Sequence, residues 1–200
     1  MPDFIYLASQ SPRRRQLLEQ LGVPCELLLA DNSEDAESLE AVLPGEAPLA
    51  YVKRVTRLKL DAAVARLKRR QLPPAPVLCS DTTVALGREI YGKPADAADA
   101  TRMLKALSGT THRVLTAVAV QGGRHAFEDV SVSRVTFAAM SPAQVRAYVG
   151  TGEPMGKAGA YAVQGRVAMY ISQISGSYSG IMGLPLHETS LLLRAAGFKL

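Results

Sequence analysis

Tryptophan is absent from this chain, aromatic residues make up 6% of it, and its 200 residues hold two cysteines and three histidines. Each scarcity excludes something. Without tryptophan, and without closely spaced aromatic and basic residues, the chain lacks the stacking platforms of single-strand nucleic-acid binders. Cys25 and Cys79 are far apart in apolar, strand-like runs (Cys-Glu-Leu-Leu-Leu and Val-Leu-Cys-Ser), outside any metal-ligand spacing. They read as buried free thiols in a reducing compartment. His112, His125 and His187 form no i, i+4 pair, which argues against a zinc site. No run reaches the roughly 18 apolar residues of a membrane span, and Met1 to Gln10 has neither the basic flank nor the apolar stretch of a signal peptide. The expectation is a cytoplasmic protein without a membrane partner.

What is present suffices for a folded core. Hydrophobic residues make up 48% and charged residues 20%, which fits a single domain over residues 1–200, or one domain with two lobes. The net charge of +5 is concentrated in a few stretches and does not by itself choose between nucleotide, nucleic acid and solubility. Phe4 to Ala8 predicts a strand; Ser11-Pro12 opens a helix carrying Leu17, Leu18 and Leu21 and closed by Gly22. Cys25 to Leu29 predicts a second strand, followed by an acidic loop with Asp31, Glu34, Asp35, Glu37 and Glu40. From Pro48 to about Arg70, Tyr51, Val55, Leu58, Ala62 and Ala65 recur at steps of four and three, a helix with one buried stripe and a basic end.

Beyond the prolines at 73, 74 and 76, Val77 to Ser80 predicts a buried strand, and Thr83 to Leu86 with Ile90 to Tyr91 a hairpin. Asp96 can cap a helix ending at Gly109. His112 to Val120, Glu128 to Phe137 and Val167 to Ile174 are strand-like. Ser141-Pro142 opens a short helix, and Leu186 to Ala196 forms the last one. Helices alternate with strands that include hairpins, so the class is α/β with a mixed sheet.

The first turn after Phe4 to Ala8 carries the strongest chemical signal. Arg13, Arg14 and Arg15 fall where the helix dipole disfavours cations. Free N–H groups, the Ser9 and Ser11 hydroxyls and guanidinium forks together describe a phosphate cradle, the alternative being a solvated basic turn. Successive helical residues diverge by about 100°, so at most two of the arginines face one ligand. Asp81 and Thr82 directly follow a predicted buried strand, at the end where open α/β sheets place ligands. Such a carboxylate could hold a divalent metal or take a proton from water; its plainer role is a turn-forming aspartate. Lys93, between Gly92 and Pro94 in a rigid turn, suits a phosphate, whereas Arg54, Lys59 and Glu34 are ambiguous alone.

Two near misses fail, one on its spacing and one on its central residue. Gly152 to Ala158 looks like a P-loop, but three residues separate Gly152 from Gly156 where four are needed, and Ala158 lacks the hydroxyl. Gly176-Ser-Tyr-Ser-Gly180 puts Tyr178 where a nucleophile elbow requires serine.

Taken together, the chain resembles the Maf family of nucleotide pyrophosphatases. The resemblance rests on Leu-Ala-Ser-Gln-Ser-Pro-Arg-Arg (7 to 14), Ser-Asp-Thr (80 to 82), Gly-Lys-Pro (92 to 94) and Met-Leu-Lys-Ala-Leu-Ser-Gly-Thr-Thr-His (103 to 112). It continues in Gly-Glu-Pro-Met-Gly-Lys-Ala-Gly-Ala-Tyr-Ala-Val-Gln-Gly (152 to 165) and Gly-Leu-Pro-Leu (183 to 186). It implies a mixed twisted sheet with flanking helices and two lobes around a central groove, similar to inosine triphosphate pyrophosphatases. It implies Asp81 as catalytic acid/base, with Ser9, Arg14, Glu34, Lys59 and Lys93 lining a phosphate and metal site, and Arg54 a weaker candidate.

In this family the residues accompanying the Ser-Pro, Asp and Gln motifs divide the substrates. Arg13, Thr82 and Gln164 resemble the branch acting on dTTP and UTP; the branch acting on 7-methylguanosine triphosphate carries Trp, Gln and Glu there. The Gln164 amide offers a donor and an acceptor to a pyrimidine edge. Gly156 departs from the family's usual Asp, which would lower activity if that Asp supports the loop or metal.

The implied reaction is metal-dependent (Mg²⁺ or Mn²⁺, held by Asp81 and Glu34) hydrolysis of a nucleoside triphosphate to monophosphate and pyrophosphate, in a homodimer. The competing classes are 7-methylguanosine triphosphate pyrophosphatase and a non-enzymatic nucleotide- or nucleic-acid-binding regulator of cell division.

Overall fold

The computed structural model describes residues 3–31, 34 and 38–200. Asp35 and Glu37 of the acidic loop lie outside them. The strands are β1 (Ile5–Leu7), β2 (Cys25–Leu27), β3 (Val77–Leu86), β4 (Glu89–Tyr91), β5 (Thr111–Gly122), β6 (His125–Phe137) and β7 (Ile171–Ser175). The helices are α1 (Pro12–Gln20), α2 (Pro48–Arg69), α3 (Ala97–Leu107), α4 (Pro142–Val149), α5 (Tyr178–Met182) and α6 (Leu186–Ala195). The sheet runs β2-β1-β3-β5-β6-β7, with β4 also on β3. β1 is parallel to β2 and β3, and the remaining pairs are antiparallel, giving the mixed sheet with flanking helices that the alternation predicts.

Local chemistry sets the helix boundaries. Pro12 opens α1, and Gly22 beyond its end takes φ +70, a conformation costly for other residues. Asp96 accepts from Asp99 N at 2.8 Å, and Ser141 with Gln144 forms a reciprocal capping box on α4. Each cap contributes roughly 1 kcal/mol.

Three expectations are corrected. β3 runs unbroken through Asp81 and Thr82, which therefore sit mid-strand. The buried face of α2 carries Val52, Thr56, Leu60, Ala63 and Arg66 alongside Tyr51 and Val55, while Leu58 and Ala65 face outward. The helix has two apolar rows sharing Tyr51 and Val55, and the sheet takes the one with Val52, Leu60 and Ala63. Residues Arg166–Tyr170 form a 3-10 turn, so β7 begins at Ile171; α5 was not expected at all. Of the two cysteines, Cys79 is buried and Cys25 partly so; both are free.

The two ends of the central strands belong to different cores. Val84 and Val114 pack with Leu104, Phe137 and Tyr148; Leu78, Val118 and Val120 pack with Leu18, Leu184 and Leu193. These are the two lobes. β1 pairs with Val77 and Leu78, and β4 with Val84 to Leu86, so among the described residues the stretch between is held through β5 alone. That unpaired edge opens the groove.

His112, in the first core, is 1% exposed; its Nε2 meets the Tyr161 hydroxyl at 2.8 Å and its ring packs edge-on to Phe137. Burial holds its pKa down at about 4. Above the ordinary value near 6.5 this imidazole is neutral in both folded and unfolded chains. Between about 6.5 and 4 the unfolded chain takes up a proton that the folded one refuses, so stability falls with pH, by on the order of 3 kcal/mol in all. Urea midpoints at several pH values should drop across that window, and His112→Phe should flatten the drop. An equally steep drop in the variant would show that His112 is not its source.

Candidate active site

Ser80, Asp81, Thr82 and Thr83 interrupt an otherwise apolar central strand, and each buried polar group there needs a partner. Alternation sends them to opposite faces. On one face, Asp81 is 8% exposed and its Oδ1 accepts from Lys59 Nζ of α2 at 2.5 Å. The same ammonium donates to Glu40 Oε1 at 2.7 Å, and Lys93 Nζ donates to Glu40 Oε2 at 2.9 Å. Tyr51 donates its hydroxyl to the Glu40 carbonyl at 3.0 Å, fixing the 3-10 turn Ser38–Glu40 against α2. Burial pushes the Glu40 carboxyl up, but Lys59 and Lys93 outweigh it and hold it below its ordinary pKa. Burial, with the Asp81 and Glu40 charges nearby, drives the Tyr51 phenol up to about 12.

On the other face, Arg14 reaches from α1. Its Nε donates to Gly183 O at 2.8 Å, one Nη to Ser9 Oγ at 3.1 Å and the other to Thr82 Oγ1 at 3.4 Å. Thr82 also meets Thr116 Oγ1 at 3.0 Å, which donates to Gly180 O at 2.7 Å. Arg13 Nε donates to Met182 O at 3.3 Å. Arg15 turns away to an exposed pair with Glu19, so two of the three arginines face the groove, as the helical geometry requires. Burial lowers the pKa of both Arg13 and Arg14; Asp81 partly restores that of Arg14. The Ser80 hydroxyl closes this wall on Ala117 O and Gly183 O, at 2.8 and 3.0 Å.

These side chains line one cavity of about 600 Å³ that includes Ser9, Arg13, Arg14, Lys59, Asp81, Thr82 and Lys93. Three other candidates are placed elsewhere. Glu34 is gripped by Arg66 at 2.8 and 2.6 Å and by Arg69 at 2.7 Å, which holds its carboxyl at about 2, Arg66 contributing most. Arg54 is committed to Glu46 by two bonds of 2.7 Å. Gln164 is exposed in the loop after Tyr161 and is not part of the cavity lining.

The structure adds Glu40 and Lys157 to the lining. The first was one acid among many in its loop. The second stands as the sole charge between Glu153 and Arg166, a usable signal that the failed P-loop match obscured.

Two carboxylate oxygens, from Asp81 and Glu40, converge on the Lys59 nitrogen. That all-oxygen convergence on a cation suits a hard divalent ion. Among the described residues no group of three or more His, Cys, Asp or Glu side chains is clustered, so phosphate and water would supply the remaining ligands, as Mg²⁺ accepts.

The chain matches the family described as Maf-like protein over residues 4–196. It is 74% identical over 198 residues, covering 99% of this chain and 98% of the relative, to a dTTP/UTP pyrophosphatase of Polaromonas sp.. It is 71% identical over 199 residues, covering all of both chains, to a dTTP/UTP pyrophosphatase of Albidiferax ferrireducens. The Staphylococcus aureus Ham1 protein is a loose structural likeness, with TM-score 0.38 and 12% identity over 67% of this chain and 71% of that one. With the groove's motifs all inside the matched span, the chain belongs to the Maf family.

Proposed function

We propose that this chain hydrolyses dTTP and UTP to the monophosphate and pyrophosphate. The observation that carries the reading is that β3 presents Asp81, paired to Lys59, on one face and Thr82 with Arg14 on the other, both within one groove. Relatives bearing the name dTTP/UTP pyrophosphatase over nearly the full chain support the substrate class.

Asp81 accepts the proton of a water attacking the α-phosphorus. The water oxygen bonds to phosphorus, the bond to the bridging oxygen breaks, and pyrophosphate departs. Arg13 and Arg14 hold the polyanion; Lys59 fixes the Asp81 carboxylate, and Lys93 holds Glu40. A Mg²⁺ or Mn²⁺ ion, when bound by Asp81 and Glu40, supplies charge neutralisation and polarisation of the phosphoryl oxygens. Base choice rests on Arg13 and Thr82 in the groove and on Gln164 beyond it. The working form is a cytoplasmic homodimer; among the described residues no helix is long and apolar enough to cross a membrane.

Pyrophosphate release from dTTP, UTP, CTP and 7-methylguanosine triphosphate with Mn²⁺ tests this. Cleavage of the first two should dominate. Preference for the methylated purine overturns the roles of Arg13, Thr82 and Gln164, and no release from any nucleotide favours the regulator class.

A further inference from the structure

The groove is electrically lopsided. On the Asp81 face, two carboxylates, Asp81 and Glu40, meet two ammonium groups, Lys59 and Lys93. That half is balanced. On the Thr82 face, Arg13 and Arg14 find carbonyl and hydroxyl oxygens, and no carboxylate pairs with either among the described residues.

Lys157 belongs with them. It lines the cavity, and its ammonium donates to the carbonyls of Glu153 and Met155. The Glu153 carboxylate is engaged elsewhere: Oε1 accepts from the Tyr148 hydroxyl at 2.8 Å and Oε2 from Arg166 N at 3.1 Å. The loop bearing Lys157 is fixed to the Thr82 side of β3. Gly159 lies so close to Val84, on that face, that a β-carbon there would stand 2.8 Å from a Val84 methyl, and Gly159 N donates to Gly92 O at 3.0 Å. Half-buried cations that no carboxylate pairs directly are costly to keep. Three of them converging on one wall call for an anion of several charges.

We propose that Lys157 binds the β- and γ-phosphates of the substrate, the portion that leaves as pyrophosphate, completing a cationic cradle with Arg13 and Arg14 across β3 from Asp81. This rests on the triphosphate reading above and gives the glycine-rich loop, which is no Walker motif, a phosphate-binding task. Burial and the neighbouring Arg13 charge lower the lysine's pKa, in keeping with a site that favours an incoming anion. The rival role is a staple that merely ties the loop's own carbonyls together.

The test compares wild type, Lys157→Met and Lys157→Arg for binding of inorganic pyrophosphate with Mg²⁺, binding of dTMP, and dTTP kinetics. Lys157→Met should weaken pyrophosphate binding and raise KM for dTTP about tenfold or more, leave dTMP binding unchanged, and be largely rescued by Lys157→Arg. Unaltered pyrophosphate binding in Lys157→Met, or pyrophosphate and dTMP weakened alike, overturns the proposal. If Lys157→Met does not fold, wild-type pyrophosphate affinity that Lys157→Arg fails to preserve within a few-fold also counts against it. A wild type that cleaves no nucleotide yet loses pyrophosphate binding in Lys157→Met would refute the activity and keep the cradle.

Discussion

Asp81→Asn should lower kcat by about a thousandfold or more, the scale of a lost general base, while dTTP still binds. The substitution keeps the shape of a side chain 8% exposed and removes the charge that Lys59 holds at 2.5 Å. The cations that grip the polyanion, Arg13 and Arg14, are anchored to Met182, Gly183, Ser9 and Thr82 and do not depend on the Asp81 carboxylate. Single-turnover rates and calorimetric titration with dTTP read the two effects separately. A rate near that of wild type would remove Asp81 from the chemistry.

Glu40→Gln and Glu34→Gln should behave oppositely. Glu40 joins Lys59 to Lys93 at the groove, so its loss should cost about a hundredfold in kcat/KM and raise the metal concentration needed for half-maximal rate. Glu34 is locked to Arg66, a residue 5% exposed, so its loss strands a buried charge and should lower the melting temperature with a smaller effect on rate. With its carboxyl at about 2, well below the ordinary carboxylate range, the pair's contribution is complete above about 4.5 and fades as pH falls toward 2. Measuring both variants for melting and for metal dependence decides between them. A larger catalytic loss in Glu34→Gln would return that residue to the metal site.

Local signals named most of the elements because each has a local cause. Pro12, Asp96 and Ser141-Pro142 mark helix starts that the structure keeps, and the alternation along Thr111–Gly122 and His125–Phe137 is that of paired strands. The sequence pattern breaks β3 at Asp81 and Thr82, where two polar residues follow an apolar run. They remain in the strand since Lys59 arrives from another element to pair with Asp81, and Arg14 and Thr116 to pair with Thr82. The same long-range pairing hid Arg66, which resembles an ordinary basic residue near a helix end until Glu34 and the Leu28 carbonyl close on it. Arg13, Arg14 and Lys93 are legible because their spacing to Pro12, Gly92 and Pro94 is local, whereas Asp81 is singled out from a strand end that the structure places mid-strand. Glu40 is not legible, since its position depends on Tyr51 and two lysines far along the chain.

Arg13 and Arg14 donate to carbonyls 169 residues away, and Ser80 reaches the same Gly183 carbonyl. While the ribosome is still upstream of Met182, the guanidiniums of a nascent chain lack these carbonyl anchors and the groove has no back wall. Completion of the site is therefore among the last events of synthesis, and an unfinished polypeptide exposes nucleotides to no organised cleft.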